Sequence, residues 1–279
     1  MEYITLNNGI KMPILGYGVY QVDPAEAERC VLDAISAGYR SIDTAQAYAN
    51  EEGVGNAIAK CGVPREELFI TTKVWISNAG YEKAKASIEE SLRKLQTTYI
   101  DLLLIHQPFG DYYGTYRAME EAYKAGKVKA IGVSNFYPDR LLDIHHFAEV
   151  KPAVNQVETH VFCQQKLAKE YMNKNGIQIE SWGPFAEGKN DYFNNPVLKE
   201  IGTAHGKSTA QVALRFLIQS GVVVIPKSTH KERMEENFNV FDFELTENEM
   251  NKIEALDSGE SLFFSHYDPK TVEWFMTLV

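Results

Sequence analysis

The sequence predicts a (β/α)₈ barrel, the TIM-barrel architecture, preceded by an N-terminal β-hairpin. Three observations support this prediction. Eight short apolar runs alternate with amphipathic segments of helical length, nearly every run ends in a polar residue, and no linker or low-complexity stretch divides the 279 residues. Alternating strands and helices form parallel sheets, and eight such repeats in a chain of this length are typical of a closed barrel. We therefore expect one domain over residues 1–279.

The hairpin is predicted from residues 3–14, which read YITLNNGIKMPI. Two strand-like runs flank Asn7, Asn8 and Gly9. These residue types tolerate positive φ and therefore form tight turns between antiparallel strands.

The barrel strands and helices follow in alternation. The predicted strands cover residues 14–20, 40–43, 68–73, 101–106, 129–135, 153–158, 177–182 and 222–227. Apolar residues recur every three or four positions between them, which indicates helices. The clearest helical segments cover residues 25–37, 81–95, 116–125, 165–175 and 209–219.

An open doubly wound sheet is the alternative arrangement of strands and helices. Its dinucleotide-binding form needs a G-x-G-x-x-G turn after the first strand. Here Gly16 and Gly18 are followed by Gln21 at the position of the third glycine. The fingerprint fails, so the barrel is favoured.

Composition restricts the classes of partner. Hydrophobic residues make up 44% of the chain, which excludes disorder, and 38 acidic against 28 basic residues give a net charge of −10. Such a charge disfavours binding to nucleic acid or an anionic membrane. Cys30, Cys61 and Cys163 are too few and too scattered for a disulfide framework. With no export signal or membrane span in the sequence, we expect a cytoplasmic protein.

The polar ends of the predicted strands form the candidate site. They are Asp43, Lys73, His106, Asn135, Glu158, Ser181 with Trp182, and Lys227. In a barrel these carboxyl ends converge on one mouth, where the chemistry of this fold takes place.

Four of these side chains suggest proton transfer to a substrate oxygen. Asp43, Lys73 and His106 end strands two, three and four, and Tyr48 follows Asp43 by five residues. A lysine cation beside Tyr48 is expected to lower the phenol pKa from about 10, which makes the phenol a usable proton donor. Asp43 would hold the lysine charged, and His106 would hydrogen-bond the substrate oxygen.

Each residue also has an ordinary structural interpretation. Taken singly, a lysine at a strand end is usually solvated, a tyrosine belongs to the core or rim, and a buried histidine is often satisfied by its neighbours. Their joint placement on one face favours function. No metal site is expected, because His145 and His146 are adjacent and the other histidines are scattered. A G-x-S-x-G hydrolase turn is also missing.

A second polar segment, residues 225–238, reads IPKSTHKERMEENF. It brings Lys227, Ser228, Thr229 and Arg233 together where the last strand leads into a helix, an arrangement suited to an anion. A solvated loop before a charged helix is the alternative. The position of the segment on the same face as Lys73 favours anion binding.

Several ordered motifs resemble the aldo-keto reductases. They are residues 38–55 (GYRSIDTAQAYANEEGVG), 69–75 (FITTKVW), 101–108 (DLLLIHQP), 132–136 (GVSNF), 154–158 (VNQVE) and 225–233 (IPKSTHKER). The resemblance extends to residues 263–269 (FFSHYDP) and so covers practically the whole chain. It implies a (β/α)₈ barrel that binds NADP(H) without a Rossmann motif and reduces aldehydes or ketones to alcohols.

The resemblance also implies roles for individual residues. Tyr48 would be the proton donor, with Asp43, Lys73 and His106 as its catalytic partners. The implied cofactor-binding residues are Ser134, Asn135 and Gln156 for the carboxamide, Trp182 for stacking on the nicotinamide, Gly183 and Pro184 along the cofactor, Lys227, Ser228, Thr229 and Arg233 for the 2′-phosphate, and Glu236 and Asn237 for the adenine.

The chain departs from the better-known mammalian members at several positions. Tyr20 and Gln107 stand where tryptophan is frequent, Trp182 replaces a stacking tyrosine, and Val161 replaces a proline. These features resemble the compact bacterial branch that includes glyoxal and diketo-gluconate reductases. The expected substrate pocket consists of Tyr20, Trp75, Gln107, Phe109 and His266. Gln107 either contacts a second substrate oxygen or points away and bonds to the backbone.

Two functions are compatible with these motifs. The first is NADPH-dependent reduction of small aldehydes, α-dicarbonyls or keto-sugars by a monomeric enzyme. The alternative is a regulatory barrel that binds NADP(H) without turnover. All four catalytic positions are occupied by reactive side chains, which favours the enzyme.

Overall fold

The computed structural model describes residues 1–279 and confirms the hairpin at the start of the chain. Strands β1 (Tyr3–Thr5) and β2 (Lys11–Pro13) pair antiparallel, with Tyr3 opposite Pro13. The side-chain amides of Asn7 and Asn8 donate to the carbonyls of Pro152 and Lys129, each at 2.9 Å. The hairpin therefore lies against the amino-terminal ends of the barrel strands, opposite the predicted site.

Eight parallel strands form one sheet in chain order. They are β3 (Tyr17–Gly18), β4 (Ser41–Asp43), β5 (Phe69–Val74), β6 (Ile100–Ile105), β7 (Val128–Ser134), β8 (Val154–Glu158), β9 (Gln178–Trp182) and β10 (Val223–Val224). A parallel bridge between Leu15 and Val224 joins the first and last strands, so the predicted barrel is confirmed. Each of these two strands pairs over two residues, and Pro226 has no N–H with which to extend the last one.

Helices surround the sheet. They are α1 (Pro24–Ala37), α2 (Glu51–Lys60), α3 (Tyr81–Lys94), α4 (Tyr112–Lys124), α5 (Pro138–Phe147), α6 (Lys166–Lys174), α7 (Pro196–His205), α8 (Thr209–Gln219), α9 (Lys231–Phe238), α10 (Glu247–Glu254) and α11 (Pro269–Met276). The five predicted helices are all present. Helix α4 begins four residues earlier than predicted because the Asp111 carboxylate caps it, accepting from Gly114 N at 2.7 Å.

Helix α2 was not predicted, since Gly53 and Gly55 interrupt its apolar pattern. Packing nevertheless requires glycine at position 55, because a Cβ on Gly55 would lie 2.2 Å from the Lys94 carbonyl oxygen. Helix α2 can therefore approach the end of α3 closely only with glycine at this position.

Two apolar clusters organise the interior. The larger contains 68 buried residues from Leu6 to Ile253 and includes the barrel strands and the inner faces of the helices. The smaller consists of Ile76, Phe109 and Phe275, and it attaches the C-terminal segment, residues 259–279, to the mouth of the barrel. No helix combines the length and apolar character needed to cross a bilayer.

Candidate active site

The structure brings Asp43, Lys73 and Tyr48 into contact at the carboxyl ends of adjacent strands. Asp43 ends β4, Lys73 lies near the end of β5, and Tyr48 ends a single 3₁₀ turn beyond β4. The Lys73 ammonium donates to Asp43 Oδ1 at 2.5 Å, to the Thr44 carbonyl at 2.9 Å and to Tyr48 Oη at 3.4 Å. Lys73 is fully buried and Asp43 nearly so, whereas Tyr48 is half-buried and faces the mouth.

His106 completes the group from the loop after β6. Its ring centroid lies 5.4 Å from that of Tyr48 and 5.0 Å from that of Trp75, in edge-to-face arrangements. Its Nδ1 atom is buried without a hydrogen-bond partner. The four residues that the sequence predicts to meet therefore lie together in the structure.

The pKa of Tyr48 differs from the sequence-based expectation. Burial raises the pKa of the Tyr48 phenol, and Asp43 adds to this increase, so that the pKa reaches about 12 although Lys73 acts to lower it. The expected net decrease is therefore wrong, because desolvation of the phenolate outweighs the attraction of the ammonium. Tyr48 consequently keeps its proton throughout the neutral range.

Lys73 and His106 shift in opposite directions. Burial alone would lower the pKa of Lys73, but Asp43 and Tyr48 outweigh burial and raise it, so the ammonium stays charged. Burial and then the Lys73 charge hold the pKa of His106 well below its usual range. The site thus contains a charged lysine, a neutral histidine and a protonated tyrosine.

The predicted nicotinamide-binding residues lie beside the group, on or directly after β7, β8 and β9. Asn135 adopts a left-handed backbone with φ of 64°, which asparagine tolerates better than most residues. Its amide donates to the His106 carbonyl at 3.0 Å, and its Oδ1 accepts from Trp182 Nε1 at 2.8 Å. Ser134 Oγ donates to the Gln156 carbonyl at 2.8 Å. These contacts fix the orientation of the Trp182 indole at the mouth.

The predicted phosphate-binding residues surround the turn between β10 and α9. Lys227 and Arg233 are exposed and form no salt bridge, in contrast to many surface cations of this chain. The Ser228 hydroxyl accepts from His230 N at 3.1 Å, while Thr229 is half-buried. Of the predicted adenine-binding residues, Asn237 is buried and Glu236 is exposed on α9.

The loop after β9 contains Gly183 and Pro184, which are predicted to lie along the cofactor. Gly183 has a positive φ of 62°, and the Pro184 carbonyl accepts from the Tyr192 hydroxyl at 2.8 Å. The chain therefore turns sharply directly after Trp182.

The predicted substrate-pocket residues fall into two sets. Tyr20 and Trp75 flank the reactive group, and the Tyr20 ring lies 5.1 Å from that of Tyr48. Phe109 and His266 are instead buried under α11, with Phe275 against both rings.

Gln107 follows neither of its two predicted arrangements completely. Its Oε1 lies 2.7 Å from Nε2 of His266, so it bonds a side chain of the C-terminal segment rather than the backbone. Its Nε2 has no protein partner at hydrogen-bonding distance.

A cavity of about 770 Å³ opens beside this site. Asn135, Trp182 and His266 form part of its wall, but Asp43, Tyr48, Lys73 and His106 do not. The reactive centre is therefore defined by the contacts among those four residues and lies outside the wall of this cavity.

Two features of the site are not predicted by the sequence pattern. Glu180 is completely buried within β9 and contacts Gln156, which in turn contacts Asp43. The sequence feature that indicates Glu180 is a carboxylate two residues before Trp182, on the same face of a largely buried strand. Phe263 and Phe264 pack against the Trp182 ring, with centroids 5.1 and 6.2 Å away. Nothing in the local pattern placed that segment over β9.

Comparison with known proteins extends these observations. A model described as the aldo/keto reductase family matches residues 14–258. The chain is 50% identical over 261 residues to glyoxal reductase of Bacillus subtilis (strain 168), covering 93% of this chain and 94% of that protein. It is 42% identical over 262 residues to methylglyoxal reductase DkgA of Escherichia coli (strain K12), with 93% and 94% covered.

Solved structures agree with the fold. An aldo-keto reductase of Bombyx mori in complex with NADP superposes with a TM-score of 0.90 at 33% identity, covering 98% of this chain and 96% of that one. A putative 2,5-diketo-D-gluconic acid reductase B superposes with a TM-score of 0.91 at 39% identity, covering 96% and 95%.

Proposed function

Because the chain belongs to the aldo/keto reductase family, we propose that it reduces small carbonyl compounds, α-dicarbonyls above all, with NADPH. The protein is an oxidoreductase that acts on carbonyl groups. The choice of α-dicarbonyls rests on the two relatives named for glyoxal and methylglyoxal.

The observation that carries the proposal is the contact of Lys73 with both Asp43 and Tyr48. In this interpretation Tyr48 gives its proton to the carbonyl oxygen as that oxygen gains negative charge. The Lys73 ammonium, held charged by Asp43, stabilises the phenolate that remains. NADPH, when bound, supplies the hydride.

His106 has a separate role in the proposal. As a neutral imidazole it can donate one hydrogen bond to the substrate oxygen without competing with Tyr48 for the proton. The edge-to-face contact with Trp75 holds the imidazole ring beside the phenol. His106 therefore orients the carbonyl, and Tyr48 protonates it.

The residues present suit NADP(H). Lys227 and Arg233 are cations without carboxylate partners, beside the Ser228 hydroxyl and the start of α9, so a phosphate dianion could bind them without breaking an existing ion pair. The Trp182 indole, fixed by Asn135, offers a flat surface for an aromatic ring. We assign Lys227, Ser228, Thr229 and Arg233 to the 2′-phosphate, with Glu236 and Asn237 near the adenine.

The nicotinamide end would be held by Ser134, Asn135, Gln156 and Trp182, and the cofactor would pass Gly183 and Pro184. All of these residues come from one chain, and we propose that the enzyme acts as a monomer.

The direct test mixes the purified protein with NADPH and a panel of carbonyl compounds while the near-ultraviolet absorbance of NADPH is followed. We expect oxidation of NADPH with methylglyoxal and glyoxal, and slower oxidation with unsubstituted alkyl aldehydes. Binding of NADPH, seen as quenching of tryptophan fluorescence, without turnover on any member of the panel would instead favour the regulatory barrel.

Arg233→Ala tests the cofactor assignment. Charge-assisted hydrogen bonds contribute about 1.5–3 kcal/mol each, so the NADPH Kd should rise about tenfold or more. The NADH Kd should change little, because NADH has no 2′-phosphate. Arg117→Ala, at an exposed arginine on α4, is the matched control. Equal weakening of both cofactors by Arg233→Ala would contradict the assignment.

A further inference from the structure

Glu180 is a buried carboxyl group that the proposed reaction does not use. It lies in the middle of β9, is fully buried, and accepts from Gln156 Nε2 through Oε2 at 2.9 Å. Its other oxygen, Oε1, is buried without a partner. The same Gln156 nitrogen donates to Asp43 Oδ2 at 2.8 Å. A continuous chain of contacts therefore runs from Glu180 through Gln156, Asp43 and Lys73 to Tyr48.

The charges inside the barrel do not balance if Glu180 is ionised. The interior group contains one ammonium, Lys73, and two carboxyl groups. Lys73 lies against Asp43 and forms no salt bridge with Glu180, whose only hydrogen-bond partner is a neutral amide. A second buried anion without its own cation is strongly disfavoured. Glu180 therefore retains its proton when Asp43 is ionised.

The groups around Glu180 favour its protonated form. Burial and then the Asp43 charge raise the pKa of Glu180 to about 8, although Gln156 and Lys73 oppose the shift. The residues paired with Glu180 in the sheet, Gln156 on β8 and Val223 on β10, carry no charge. The proton thus leaves as the pH rises through the mildly alkaline range.

The same contacts fix the orientation of the Gln156 amide. An ionised Asp43 can only accept hydrogen bonds, so Gln156 must turn its NH₂ group toward Asp43. The second hydrogen of that NH₂ group goes to Glu180, and Gln156 Oε1 has no protein partner at hydrogen-bonding distance. Gln156 therefore offers an acceptor, not a donor, to the carboxamide that we propose it binds.

We propose that Glu180 is a positioning residue for carbonyl reduction, which holds the Gln156 amide and, while protonated, limits the barrel interior to one negative charge. This inference rests on the proposed function. Loss of the proton would place a second anion behind Asp43 and Lys73. That charge disfavours the negative charge that develops on Tyr48 and on the substrate oxygen, so turnover should fall.

The first experiment compares kcat at pH 7 and pH 9 with saturating NADPH and methylglyoxal. In the wild type, kcat should fall about fivefold or more across this interval, as expected for one group that must stay protonated. Glu180→Gln should remove most of this decrease, because the amide cannot ionise. Glu51→Gln is the matched control, since Glu51 is also a buried carboxyl with a raised pKa but bonds Thr72 outside the site. It should keep the wild-type decrease.

The second experiment does not depend on activity. Infrared difference spectra between wild type and Glu180→Gln should show a protonated carboxyl stretch at pH 7 that disappears with a midpoint near pH 8. If this signal is present but the wild type reduces no carbonyl compound, the proposed function is contradicted, whereas the protonation of Glu180 is not. If Glu180→Gln does not fold, Glu180→Leu serves the same two measurements.

A third readout concerns position rather than charge. Glu180→Leu removes the acceptor for the second Gln156 hydrogen and should raise the NADPH Kd severalfold, whereas Glu180→Gln, which keeps an acceptor, should recover most of that affinity. The proposal is overturned if Glu180→Gln retains the full alkaline decrease, or if no protonated carboxyl signal is lost in the variant.

Discussion

The barrel interior and the C-terminal segment meet at the same mouth, but different forces hold them in place. In the interior a buried ion pair and a chain of amide and carboxyl contacts fix Tyr48. The C-terminal segment is attached largely by aromatic packing, with Phe275 stacked on His266 at 5.6 Å, and by bonds such as that of His266 to Gln107. The family model matches residues 14–258 and so ends where this segment begins.

The two regions should therefore differ in how well they tolerate substitution. Chemistry is carried by polar contacts that tolerate little change, because each buried charge depends on its partner. The C-terminal segment packs at the mouth through apolar rings, and substitutions among apolar residues of similar volume are usually tolerated at moderate cost. We therefore expect the barrel to determine the reaction class and the C-terminal segment to influence substrate choice.

Among substitutions in these two regions, Tyr48→Phe should lower activity most. Removing the proposed proton donor should lower kcat about 10²–10⁴-fold, the usual contribution of general acid catalysis. The NADPH Kd should stay close to that of the wild type, because the lost interaction forms only in the transition state. Tyr116→Phe, which removes a buried hydroxyl bonded to the Val150 carbonyl, is the control. A Tyr48→Phe enzyme with a tenth of normal turnover would rule out the assigned role.

Lys73→Met should combine loss of activity with loss of stability. Removing one partner of a buried ion pair leaves Asp43 uncompensated, which typically costs about 3–5 kcal/mol in the free energy of unfolding. Urea denaturation measures this change. The double variant Lys73→Met with Asp43→Asn should recover part of the stability, since neither charge remains.

An exposed ion pair of equal length provides the control for that variant. Lys85 and Glu121 also lie 2.5 Å apart, but both are about half exposed. Lys85→Met should therefore change the free energy of unfolding little, because solvent screens an exposed pair. Similar losses for Lys73→Met and Lys85→Met would show that burial does not decide the strength of these contacts.

These two regions also differ in how far sequence could predict them. Asp43, Lys73 and His106 end consecutive strands, and parallel topology alone brings such ends together. The rise in the pKa of Tyr48 could not be foreseen, because the balance between desolvation and the Lys73 charge depends on distances. The burial of Phe109 and His266 by Phe275 depends on where a terminal helix docks, and no periodic pattern encodes that position.

Phe275→Ala should affect the C-terminal segment while leaving the reactive group intact. Phe275 is buried against Phe109 and His266, so its loss removes the main apolar attachment of α11. We expect faster hydrogen exchange in residues 269–276 and a KM for methylglyoxal about tenfold higher, with a smaller change in kcat. Phe147→Ala, at an exposed ring on α5, should alter neither quantity. A decrease confined to kcat would mean that the segment contributes to the chemistry itself.

Gln107→Leu should have the smallest effect, and it acts where the two regions touch. Gln107 Oε1 is engaged by His266, so only its NH₂ group can reach a substrate. One such hydrogen bond contributes about 0.5–1.5 kcal/mol, so the ratio of kcat/KM for methylglyoxal to that for butyraldehyde should fall about two- to tenfold. The substitution also releases His266, which could change the ratio by loosening the segment. His266→Phe separates the two causes, because it breaks the same bond but keeps the Gln107 amide. A decrease in Gln107→Leu alone assigns the discrimination to direct contact between the amide and the second substrate oxygen. An equal decrease in both variants assigns it to the C-terminal segment, and an unchanged ratio in Gln107→Leu excludes Gln107 from substrate selection.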